Sequence, residues 1–365
     1  LKRSYVVGLT VATALAVCSL LFFSFYSPAN PPTPEPTVLK IYCAGSLLYP
    51  LERVATAFEA AYPTVDVEVE GHGSIQVIRH VTELGDEVDL LMVADYSLIP
   101  LMMYDRMVSD TSENFTDWYI RFAGNDIVLA YTNASTDAEE LNATNWYDIL
   151  RRPGVTFGFP NPLIDALGYR TLMVLQLAET QYADSRIFDD LVESTFSPRF
   201  TTVSVAEGTM IFVPEFLDPV GEKVLLRASS IQLIPLLQSG AIDYCFLYRS
   251  NAEQYNVEYI SFPVEINLAS PQFEALYQRV TIRYEHQRFG SVGLTREGKT
   301  IYYGLTIPEN APNPEGAEAF IQYLLTGEGR TIFTALHHPI FTPALTDNRP
   351  GLPEAIQGLV VQEGE

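Results

Sequence analysis

The sequence predicts an α/β fold in which mainly parallel sheets are covered by helices. Three observations predict it. Short apolar runs that read as buried strands recur along the chain. The first two strands each run into a Gly-Ser turn, Gly45-Ser46 and Gly73-Ser74, with apolar residues at helical spacing beyond it. Strand-like and helix-like segments alternate instead of clustering.

Val38 to Cys43 reads as a buried strand. Leu47, Leu48, Leu51, Val54, Ala55 and Phe58 then fall at helical spacing, with Ser46 placed as an N-cap and Pro63 as the stop. Val65, Val67 and Val69 alternate with acidic residues, the pattern of a half-buried strand. Ile75, Ile78, Val81 and Leu84 mark a second amphipathic helix closed by Gly85, and Val88 to Ala94 is a further buried strand. Beyond Asn125, strands are predicted at Asp126–Tyr131, Val155–Phe159, Ile242–Tyr248, Glu258–Ile266 and Ile301–Ile307. Helices are predicted at about Tyr169–Tyr182 and Pro314–Leu325. Residues 197–223, with Pro198, Pro214 and Pro219, show no periodicity that assigns them. No short-period repeat is present.

The 365 residues suffice for two ordinary domains, and 47% hydrophobic against 18% charged residues supports a sizeable core. A net charge of −23 argues against a nucleic-acid binder, because phosphate contacts need clustered Lys and Arg. Three cysteines exclude a disulfide framework and a Cys₄ zinc site.

Lys2 and Arg3 precede a charge-free apolar run from Tyr5 to Tyr26, about the length of a bilayer-spanning helix. It reads as an uncleaved anchor or a signal segment, residues 1–26, with the basic end inside and the rest outside. Leu15-Ala16-Val17-Cys18 only faintly resembles a lipoprotein box, since Val17 is bulky and the apolar run continues. Residues 27–37 carry five prolines and read as an extended linker. Sequons at Asn114, Asn133 and Asn142 fit an external surface.

The two Gly-Ser turns are the chemically suggestive feature. Helix starts direct free N–H groups, a hydroxyl and a partial positive charge at one point. Two facing starts would hold an oxyanion without any Lys or Arg; plain N-capping is the alternative use of each serine. Catalytic signatures are missing: no G-x-S-x-G, H-E-x-x-H or phosphate-binding G-x-x-x-x-G-K-[ST] occurs. His72, His80, His286, His337 and His338 lack metal-ligand spacing and read as surface or capping residues. Cys43 and Cys245 lie in apolar strands and read as inert thiols.

AGSLLYPLERVATAFEAAYP (44–63), GSIQVIRHVTELG (73–85), DLLMVADYSLI (89–99), DALGYRTLMVLQLAE (165–179) and SGAIDYCFLYRS (239–250), in this order, resemble the archaeal-type molybdate/tungstate-binding proteins of ABC transporters, the ModA/WtpA group. The resemblance covers most of residues 38–345. It implies a type II-like periplasmic-binding-protein fold whose two lobes close on an oxyanion. Lobe 1 would be 38–124 plus 262–345, lobe 2 would be 125–261, and 346–365 a C-terminal tail.

The resemblance also implies the site. Ser46 and Ser74 match hydroxyl donors of the first lobe, and the Leu167 N–H a backbone donor. Tyr248 matches a tyrosine that closes over the ligand. Asp165 matches a carboxylate that gives an oxygen to the molybdenum or tungsten; a capping carboxylate is its alternative reading. A second family carboxylate, a glutamate, aligns with Gln232. That amide could accept or donate at the oxyanion, or form a capping box with Ser229 in Ser229-Ser230-Ile231-Gln232. Octahedral coordination is therefore in question.

The implied function is a monomeric extracytoplasmic receptor, without a cofactor, that carries tungstate or molybdate to a membrane permease. A receptor for sulfate, phosphate or a small organic anion is the second reading, and an enzyme on the same architecture the third. A carboxylate at Asp165 favours a metal-centred oxyanion over sulfate.

Overall fold

The computed structural model describes residues 36–109, 111–285, 293 and 295–364. The anchor expected at 1–26, nearly all of the 27–37 linker, Cys18 and His286 lie outside them. Among the described residues no helix is long and apolar enough to cross a membrane. Residues Val38–Glu365 form one compact unit.

Sixteen described strands, numbered in chain order, make three sheets. The first has seven strands: β1 (Thr37–Ala44), β2 (Val65–His72), β3 (Leu90–Val93), β4 (Ile120–Gly124), β14 (Tyr302–Thr306), β15 (Ile340–Thr346) and β16 (Val360–Gln362). Their spatial order is β16-β15-β4-β14-β3-β1-β2. The second has five, β5 (Ile127–Tyr131), β6 (Phe157–Pro160), β9 (Val224–Arg227), β10 (Tyr244–Tyr248) and β11 (Glu258–Ser261), in the order β11-β5-β10-β6-β9. These sheets are the cores of the two lobes. A third sheet joins β7 (Thr201–Val205) and β8 (Gly208–Val213) to β12 (Val280–Tyr284) and β13 (Thr295–Glu297).

The apolar runs are strands because both faces are covered: all four residues of β3 and all five of β10 are buried. The sheets are mixed rather than mainly parallel. β1 pairs with β3 in parallel, as do β6 with β9 and β10, but β14 runs antiparallel to β3 and β4, and β5 antiparallel to β10 and β11.

The helices follow the apolar spacing, with shifted starts. The first spans Gly45–Ala61 after Ala44 and the second Ser74–Thr82 after Gly73, so each serine sits inside its helix. Neither helix has a side-chain cap. The helix predicted from Tyr169 begins at Ala166, because Asp165 Oδ1 accepts from the Leu167 N–H at 2.7 Å and caps it. Its residues Ala166–Ala178 are all buried, since β6 and β10 pack on it from one sheet and β12 from another.

Two segments differ from expectation. Residues 197–223 contain the β7–β8 hairpin, whose β7 is exposed throughout and so carries no two-fold hydrophobic signal. The residues after 345 are not a loose tail: β16 pairs in parallel with β15 at the edge of the first sheet. Cys43 and Cys245 are buried and free, as expected of inert thiols, and burial pushes both thiols up in pKa.

Candidate oxyanion site

The chain passes from β4 to β5 through Asn125 and Asp126, and the interface between the two lobes gathers most of the residues expected at a ligand site. Gly73, at the start of the second helix, lies so close to the other lobe that a Cβ there would stand 2.3 Å from the Ile164 carbonyl oxygen. The N–H groups of Ile75 and Gln76 donate to that same carbonyl at 3.2 and 3.3 Å. Gly45 faces Ser229, with 3.3 Å between a built Cβ and the Ser229 side chain. The Asn251 amide donates to the Ser46 carbonyl at 3.1 Å. The lobes are therefore closed on each other.

Ser46, Ser74, Asp165 and Tyr248 are all buried at this interface. Contacts link them in a ring. Tyr303 donates to Ser46 Oγ at 3.1 Å, and its ring centroid lies 5.8 Å from that of Tyr248. Tyr248 Oη accepts from Arg170 Nη1 at 2.7 Å, and Arg170 also donates to the Ala94 carbonyl at 2.7 Å. The Ala94 N–H donates to Ser74 Oγ at 3.0 Å. Gly73 leads on to Ile164 and Asp165, and Ser230 N–H holds the Asp165 carboxylate. Ser229 returns the ring to Gly45.

The local sequence explains the aim of Asp165. β6 ends at Pro160, and Asn161 turns the chain by accepting from the Leu163 N–H at 2.9 Å through its side chain. Gly168 then packs against the turn, where a Cβ would meet the Pro160 carbonyl oxygen at 2.4 Å. The helix thus starts at the lobe boundary with the positive end of its dipole toward the ring.

Ser46, Ser74 and Tyr248 share one hydrogen-bonding property. Each hydroxyl oxygen already accepts from a positioned donor: Tyr303, the Ala94 N–H and Arg170 respectively. Each proton is thereby left to donate. Tyr303 is itself fed by Asn125 Nδ2 at 3.0 Å, so an amide–phenol–serine chain points at the site, polarised in one direction.

Charge at the site is balanced and buried. Burial acts to raise the Asp95 carboxyl, but Arg170, Lys299 and the Tyr169 hydroxyl outweigh it and hold the group below the ordinary carboxylate range. Burial likewise opposes the Arg170 charge, and Tyr248, Asp95 and Tyr169 keep it protonated. Burial pushes Asp165 up to about 7, against the pull of the Leu167 N–H and of Arg170.

Several expectations are corrected here. The site was expected without Lys or Arg, yet Arg170 is buried within it. The Leu167 N–H is occupied by Asp165 Oδ1. Gln232 is exposed, and its Oε1 accepts from the Ala228 N–H at 3.1 Å. This is a local backbone contact one residue short of a capping box, and Ser229 makes no side-chain cap. His338 is not a surface residue: it is fully buried, with Nε2 3.1 Å from Ser250 Oγ, and burial pushes it down to about 3. His72 and His80 stay half-buried and pair with Glu70 and Asp86. His337 is exposed. Tyr303, Asn125, Asp95 and Arg170 escaped sequence reasoning, though Asp95 and Arg170 lie within stretches that carried the resemblance, and Ser229 entered only as a capping residue. Among the described residues no group of three or more His, Cys, Asp or Glu could hold a metal ion.

Two lobes that meet over buried hydroxyl, carboxylate and guanidinium groups have the form of a solute-binding protein. The chain matches the family of bacterial extracellular solute-binding proteins over residues 39–336 and belongs to it; it is a binding protein rather than an enzyme. It is 39% identical over 326 residues to an uncharacterized solute-binding protein of Methanococcus maripaludis, covering 89% of this chain and 88% of the relative. It is 38% identical over 330 residues to the molybdate/tungstate-binding protein WtpA of Pyrococcus abyssi, covering 88% and 89%. The sulfate-binding protein SubI from Mycobacterium tuberculosis shares the fold, with a TM-score of 0.51 and 14% identity over 83% of this chain and 86% of that one.

Proposed function

We propose that this protein captures tungstate or molybdate outside the cytoplasm and delivers it to the permease of an ABC transporter. The observation that carries the reading is that the buried Ser46, Ser74 and Tyr248 hydroxyl oxygens each accept from a neighbouring donor, which leaves their protons to donate. Hydroxyl donors suit any oxyanion; Asp165 is the group that favours a metal-centred one, because its carboxylate can bond the metal. The likeness to WtpA supports the same ligands.

In this reading the lobes are 38–124 plus 262–345 and 125–261, with β16 added to the first and β12 and β13 paired instead with β8 and β7 of the second, and the protein works as a monomer. Residues 1–26 tether it to the membrane through the 27–37 linker. Asp165 is the carboxylate assigned to the metal of the oxyanion, and Gln232, turned outward to the Ala228 N–H, adds no second ligand. Asp165 gives up its proton when it does so. The bound anion is then nearer tetrahedral than octahedral.

Titration calorimetry of residues 38–365 with tungstate, molybdate, sulfate and phosphate tests the reading. Tight binding of the first two with weak sulfate and phosphate binding is expected. Preference for phosphate, or no binding of any, would sink it.

A further inference from the structure

We propose that Asp95, Tyr169 and Arg170 form an inter-lobe latch that sets how long a bound anion stays in the cleft. The proposal rests on the reading of the ring of donors as the anion site. Asp95 follows β3 and belongs to the first lobe, whereas Tyr169 and Arg170 lie in the helix Ala166–Tyr182 of the second. Asp95 Oδ2 accepts from the Tyr169 hydroxyl at 2.6 Å and lies 3.5 Å from Arg170 Nη2. Arg170 Nη1 crosses the same boundary to the Ala94 carbonyl. The Asp95 and Arg170 side chains are 3% and 2% exposed.

Each half of the latch is held in place by its own lobe. Asp95 Oδ1 accepts from the Ser97 N–H at 3.1 Å and from Ser97 Oγ at 2.8 Å, both in the first lobe. Arg170 is held by Tyr248 of the second. Parting the lobes breaks the Asp95–Tyr169, Asp95–Arg170 and Ala94–Arg170 contacts and leaves both halves intact. It also returns two charges to water. A buried pair adds little when compared with an apolar pair, but losing one member strands the other charge in the interior. That penalty falls on the closed state alone, because the open state solvates the stranded charge. The latch is tied to the ligand through Arg170, which positions the Tyr248 hydroxyl.

Arg170, Lys299 and Arg296 all act on Asp95. A neutral residue at Asp95 therefore also leaves positive charge near the anion, which alone would favour retention. Tyr169→Phe separates the two effects, because it removes a cross-lobe bond and no charge.

The test compares wild type, Asp95→Asn and Tyr169→Phe. Tungstate release is followed by stopped-flow chase, and melting is measured with and without tungstate. Release should speed up at least about tenfold in Asp95→Asn and roughly 2- to 12-fold in Tyr169→Phe. Ligand-free melting temperatures should match wild type, while the rise produced by tungstate should shrink. Equal destabilisation of the ligand-free protein would make the pair an ordinary core contact and overturn the latch. Unchanged release in Tyr169→Phe, or slower release in Asp95→Asn, would overturn it as well and leave the functional reading standing. Failure of the wild type to bind any of tungstate, molybdate, sulfate and phosphate would remove the functional reading, and the latch with it.

Discussion

The Tyr303 hydroxyl donates to Ser46 Oγ at 3.1 Å while accepting from Asn125. Tyr303 comes from β14 and Asn125 from the crossing between β4 and β5. A residue at the passage between lobes thus orients, through one phenol, a hydroxyl at the anion site. Tyr303→Phe removes that donor and leaves the ring in place. Tungstate affinity should fall roughly 2- to 12-fold by calorimetry, the worth of one neutral hydrogen bond. An unchanged affinity would mean that Ser46 needs no orienting partner.

Ser46→Ala and Ser74→Ala remove bonds made directly to a charged ligand. Each should weaken tungstate binding by about 10- to 150-fold, corresponding to roughly 1.5–3 kcal/mol. Neither serine caps its helix, but each oxygen accepts a buried hydrogen bond, from Tyr303 and from the Ala94 N–H, so the ligand-free variants should lose roughly 1–3 kcal/mol of stability while remaining folded. Wild-type affinity in both would move the anion site elsewhere.

Gly73 is needed for closure rather than for backbone freedom. A methyl group there meets the Ile164 carbonyl of the opposite lobe. Gly73→Ala should weaken binding by about 5- to 150-fold, from roughly 1–3 kcal/mol of overpacking in the closed state. Small-angle scattering with saturating tungstate should show the variant more expanded than wild type. A variant as compact as wild type would show that the loop yields instead.

Asp165 links binding and stability to pH. Its pKa is raised by burial to about 7, above the usual carboxylate value. A folded state that holds this proton more tightly than the unfolded chain is favoured at low pH. That contribution is fully present below about pH 4 and is lost as pH rises through about 7. Asp165→Asn should remove this part of the stability–pH curve. If the ionised carboxylate bonds the metal, tungstate binding near pH 6 should release a proton, measurable by calorimetry in buffers of different ionisation enthalpy. Proton uptake would show that the neutral acid faces the anion and would take Asp165 off the metal.

Gln232→Glu should leave tungstate affinity and metal-edge absorption unchanged, because the side chain is exposed and turned to the Ala228 N–H. A tighter, more octahedral site in the variant would place residue 232 in the cleft.

Much of the architecture was legible from local pattern alone. Val38–Cys43 and Ile301–Ile307 announced strands by their mostly apolar, β-branched and aromatic residues, and Pro314–Leu325 was predicted to the residue because Pro314 opens that helix. The Gly-Ser turns pointed to Ser46 and Ser74 because a helix start after a strand is a local event. β7 stayed hidden because its exposed residues carry no periodic signal. Arg170 and Tyr303 stayed hidden for a different reason. Each sits in an apolar segment, and its partners, Asp95 and Ser46, are 75 and 257 positions away. Only the closing of one lobe on the other brings such residues within hydrogen-bonding reach. The sequence by itself determined the principal buried strands, the longer helices and the two serine-bearing helix starts. The tertiary structure decided which charges are buried at the cleft, which hydroxyls are free to donate, and that Gln232 faces solvent. Those outcomes depend on contacts between segments far apart in the chain.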